Sequence, residues 1–78
     1  MIPKVGQEFH RAARLFQDGS PVVSEMVVVV LETGVTFKNV WTDRTVTNGI
    51  RFEMTDLESG RRSHHVLSLD EFRTAWMN

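Results

Sequence analysis

Apolar and polar positions alternate with two different periods along this chain. Val5, Phe9, Ala12, Ala13 and Phe16 recur at the spacing of one helical face, which predicts a helix over residues 3–17. Pro3 suits its first turn, and Asp18-Gly19 supplies a glycine stop. Gly6 weakens that first turn, and a strand through residues 11–16 is the competing reading.

After Ser20-Pro21 the chain turns β-branched, over residues 22–31 and again over 35–41. Glu32-Thr33-Gly34 between them reads as a three-residue hairpin loop, with Gly34 in the left-handed position. Counting outward from that loop assigns faces. Val27, Val29 and Leu31 fall with Val35 and Phe37 on the inner face, and Met26, Val28, Val30 and Val40 on the other.

The next turn has two candidates. Asn48-Gly49 is a strong hairpin dipeptide, but a turn there would set Ile50, Phe52 and Met54 against polar residues. A turn at residues 42–45 sets apolar against apolar and leaves Gly49 as a mid-strand glycine or bulge. The strand that follows alternates, with Ile50, Phe52 and Met54 inward and Arg51, Glu53 and Thr55 outward. A loop at residues 57–60 leads to a strand around 62–67.

The chain closes on a capping box, Ser68-Leu69-Asp70-Glu71, opening a helix that presents Leu69, Phe72 and Trp76 on one stripe. The expected fold is therefore α+β, an antiparallel four-stranded meander with an N-terminal and a C-terminal helix, in the order α-β-β-β-β-α. It forms one small domain over residues 1–78.

Composition limits what such a domain does. Seventy-eight residues leave no room for a second domain, and the chain has no Cys, which excludes disulfides, thiolate zinc sites and cysteine nucleophiles. The longest apolar run, residues 26–31, is far too short to span a membrane, so no membrane partner and a cytoplasmic location are expected. Seven Arg and two Lys oppose ten acidic residues, a net charge of −1 that argues against a dedicated DNA-binding module.

No motif carries chemistry. His64 and His65 are strand neighbours whose side chains leave opposite faces, so they cannot share an ion, and His10 has no carboxylate at a ligand spacing. In the expected register His64 faces Glu53 across the ladder. The acidic residues fall in turns or the helix cap, the serines sit in no nucleophile elbow, and the glycines form no phosphate loop. The expectation is a protein that is not an enzyme, with no cofactor, no metal and no small-molecule substrate.

What stands out is the second sheet face. Met26, Val28, Val30, Val40 and Val66 gather there while both helices are committed to the first. A solvated antiparallel strand should alternate, and residues 26–31 do not. Either a helix crosses to that face or another chain covers it. The second option makes the chain a protein-interaction module, a homodimer or a small inhibitor or adaptor of a larger protein. Its partner-binding patch would be Met26, Val28, Val30, Val40 and Val66, with Lys38, Arg51 and Arg62 around it. In size and in lacking any catalytic motif the chain is similar to small proteins of phages and mobile elements that act by occupying a host protein's surface, an analogy of type. The alternative is a small nucleic-acid-binding domain using Arg51, Arg62 and Lys38 with His64 on the open sheet face.

Overall fold

The computed structural model describes residues 1–15, 17–19 and 21–77, and the side chains of Arg14, Leu15, Pro21 and Val22 are left aside. Among the described residues six strands precede one short helix: β1 (Glu8–Arg11), β2 (Arg14–Leu15), β3 (Pro21–Val23), β4 (Met26–Asn39), β5 (Arg44–Asp56), β6 (Arg62–Ser68) and α1 (Leu69–Phe72). A π-helical stretch, Arg73–Met77, prolongs α1. β1-β4-β5-β6 form one antiparallel sheet, and β2-β3 form a separate two-stranded ribbon.

Among the described residues the expected N-terminal helix is absent. Phe9 and Ala13 are four residues apart, a spacing that is a near-multiple of the helical period and also a multiple of the strand period. The strand period prevails because β4 offers Glu8–Arg11 an edge to pair with, His10 opposite Val27 and Phe9 opposite Val28. Gly6, at φ +87°, turns the chain into that edge, and its N–H donates to the Val30 carbonyl at 2.7 Å. The competing strand reading, over residues 11–16, is met only at Arg11, the end of β1, and at Arg14–Leu15, with residues 12–13 in no strand and Phe16 outside the described residues.

The second correction concerns Glu32-Thr33-Gly34. The chain does not reverse there but runs on as one fourteen-residue strand to Asn39. Gly34 takes the left-handed conformation expected of it, φ +68°, at an irregularity in the ladder where the register against β5 shifts. The reversal falls at residues 40–43, between Asn39 and Arg44, close to the expected 42–45 turn. The Asn39 side-chain oxygen accepts from the Trp41 and Thr42 N–H groups at 2.9 and 3.3 Å, and Asp43 closes the turn at φ 58°. Two expected strands are thus one, and β1 supplies the fourth strand of the sheet.

Losing the early hairpin inverts the faces of β4. Val28 and Val30, expected on the second face, are fully buried with Ile50, Phe52 and Phe72. Val30 stands opposite Phe52 and Val28 opposite Met54. The inward alternation of β5 is as expected, and β6 sets His64 opposite Glu53 as expected.

The C-terminal helical segment covers this face. Ser68 caps it, its hydroxyl accepting from the Glu71 N–H at 3.2 Å and donating to the Glu71 carboxylate at 2.9 Å. The Phe72 ring packs edge-on against Phe9 at 5.6 Å and Phe52 at 5.2 Å, centroid to centroid. Arg11 lays its guanidinium 4.1 Å from the centre of the Trp76 ring and donates to the Ala75 carbonyl. The short helix therefore seals the sheet between β1 and β6 and leaves the far end of the β4-β5 hairpin uncovered.

Candidate protein-interaction surface

β1 pairs with β4 only through Val29, with Gly6 and Gln7 bonding to Val30, and β6 ends at Ser68 opposite Gly49. Past those points, among the described residues, β4 and β5 pair only with each other, and they project as a two-stranded arm. The radius of gyration is 14.0 Å and the molecule measures 43 × 27 × 23 Å, against roughly 11–12 Å expected for a compact chain of this length. The arm is the cause of that elongation.

At the arm's tip Val40 is 83% and Trp41 92% exposed. Beneath the tip lies a groove of about 310 Å³. Phe37, Val40 and Trp41 form its arm side, and Val66, Leu67 and Glu71 its body side. Gly49 shapes the wall of the arm: a Cβ there would stand 2.8 Å from the Phe37 ring and 2.7 Å from the Val35 carbonyl oxygen. Only glycine leaves that space to the Phe37 ring.

The residues expected to bind a partner separate into groups. Val28 and Val30 are buried in the core, and half-buried Met26 stands between Arg11 and Asp56 on the covered face. The helical segment that covers Val28 and Val30 removes the original reason for a second chain on that face. Lys38, Val40 and Val66 come together around the groove. Arg51 is exposed and paired with Glu32 at 2.7 Å, and Arg62 opens β6 opposite Thr55, away from the groove. Sequence reasoning missed Trp41, which it placed at the end of a strand. The signal available was Asn39 two residues earlier, a residue that nucleates turns.

The basic residues offered for nucleic acid are largely engaged. Lys38 meets Asp43 at 2.8 Å, Arg51 meets Glu32, and His64 meets Glu53 at 3.2 Å. The open sheet face is a mosaic of both signs. Of the histidines, His10 bonds Glu25 at 2.8 Å, and His65 leaves the other face from His64, stacking on Phe52 at 5.6 Å and bonding the Ser63 hydroxyl at 2.8 Å. Among the described residues no three His, Asp or Glu side chains converge as metal ligands, and no carboxylate bonds His65 to complete a Ser-His-acid relay. No helix among the described residues is long and apolar enough to cross a membrane.

Comparison of the chain with protein-family models, with curated proteins and with solved structures found no match.

Proposed function

We propose that this chain is a non-catalytic protein-interaction module that works through the tip of the β4-β5 arm, either on a second copy or as an adaptor or inhibitor of a larger protein. The observation that carries this reading is the pairing of Val40 and Trp41 at the end of a projecting hairpin, above a groove lined by both apolar and polar side chains, Phe37, Val66 and Leu67 with Lys38 and Glu71. An exposed Trp beside an aliphatic residue exposes apolar surface that contributes nothing to folding, and Trp is the residue that most often anchors interfaces. Lys38 and Asp43, ion-paired at the tip, supply a polar rim.

A photo-reactive phenylalanine placed at position 41 tests the reading in cells. The expected result is a covalent adduct with protein that disappears when Val40 is also changed to Asp, and none when the same probe replaces Glu58 in the loop at the opposite end. Adducts with nucleic acid alone, or no adduct at position 41, overturn it.

A further inference from the structure

We infer that the partner is a second copy of this chain, joined by antiparallel pairing of the open outer edge of β4 about a two-fold axis at Val35. This rests on the arm being an interaction element, and it names the occupant.

The edge is available. Among the described residues, the outer side of β4 at Val30 accepts from the Gly6 N–H and donates to the Gln7 carbonyl, and past Val30 it carries no backbone bond, the Asp43 N–H that reaches the Asn39 carbonyl closing the hairpin turn on the β5 side. An unpaired strand edge is a template for another strand.

The sequence of that edge is complementary to itself. With Val35 opposite its own copy, Glu32 stands opposite Lys38, and Lys38 opposite Glu32; each already has an ion-pair partner in its own chain, Arg51 for Glu32 and Asp43 for Lys38, which it would share across the axis. The two lie on one side of the strand: Glu32, Gly34, Thr36 and Lys38 are exposed, while Thr33, Val35, Phe37 and Asn39 between them are half-buried. Opposite charges directly across a ladder stabilise it, and like charges oppose it. Centring the axis one residue either way loses both ion pairs. The other open edge, β6, gives no such match: centred on His65 it sets Arg62 against Ser68 and His64 against Val66.

The same register disposes of the exposed apolar residues. Val40 falls opposite Val30 of the other copy, where Gly6 and Gln7 already occupy the edge. Strand pairing therefore stops at Asn39, and each Val40-Trp41 tip abuts the other copy's Ile2 and Val5, which are 63% and 65% exposed.

Sedimentation equilibrium over a wide concentration range, with charge-reversal variants, decides the matter. The expected result is a dimer for the natural chain, a weakening of about tenfold or more for Glu32→Lys and for Lys38→Glu, and recovery of dimerisation when both are combined. In the natural chain, amide hydrogen exchange at residues 32–38 should slow as concentration rises, a readout that needs no variant. A natural chain that stays monomeric throughout, or a double variant that fails to recover, overturns the inference. If the chain is monomeric while a probe at position 41 still captures a different protein in a Val40-dependent way, the dimer is wrong and the arm's role stands; if that probe captures nothing, both fall.

Discussion

The ring of Phe37 occupies the space that any side chain on Gly49 would need, with a Cβ at that position 2.8 Å from two of the ring's carbons. Gly49 is therefore the point at which the projecting arm is joined to the rest of the sheet. Gly49→Ala should lower stability by about 1–3 kcal/mol, the usual cost of forcing extra volume into a filled site. Thermal unfolding measures it, and an unchanged midpoint would mean that Phe37 is free to swing away.

Phe72 and Trp41 make a contrasting pair. Phe72 is fully buried and touches two other rings, so Phe72→Ala should cost about 3–5 kcal/mol. In a domain of this size that approaches the whole of its stability, and the expected observation is loss of the cooperative unfolding transition.

Trp41→Ala should leave the unfolding free energy within about 0.5 kcal/mol, because the side chain is exposed and removing it uncovers nothing. Denaturant titration followed by circular dichroism, at a concentration where the chain is monomeric, provides the number. A loss of several times that size would place Trp41 in the folded core and undercut its reading as a contact residue.

Ser68→Ala removes the hydroxyl that caps the final helical segment and should cost about 1 kcal/mol. Its effect should appear in the fluorescence of Trp76 as well as in global stability, since the segment that Ser68 starts is the one that carries this ring over Phe52. Global loss with no change at Trp76 would show that the cap is not what holds the segment in place.

The later half of the chain was more legible in the sequence than the earlier half, for an identifiable reason. Between Ile50 and Trp76 each local signal is consistent with its neighbours: strict alternation through Met54, a four-residue loop, and a serine cap followed three residues later by Glu71. Before Asn39 the signals are degenerate. Phe9 and Ala13 satisfy both periods, and Gly34 at positive φ serves a hairpin loop and a bulge equally well. Choosing the hairpin shifted every residue of 26–31 to the wrong face, because strand parity is set by a single offset. The candidate site was half visible for the same reason. Lys38, Val40 and Val66, grouped from the sequence, do lie around one groove, whereas Val28 and Val30 joined them only through the inverted parity, and Trp41 was lost in an imagined strand end.

The bond from Arg11 to Ala75 joins residues 64 positions apart, and the aromatic packing beside it links β1 to the far end of the chain in the same way. A piece of the chain that stops before Phe72 cannot bury Val28, Val30 and Phe52 fully, since Phe72 and Trp76, which help to cover them, emerge after all of β1 to β6. While the chain grows from the ribosome, the β4-β5 hairpin can already zip from its own turn, but it does so with a bare apolar face. The arm is thus the first part able to take shape and the core the last. During that interval the growing chain depends on chaperones, or on speed, to keep that face from pairing with the wrong surface.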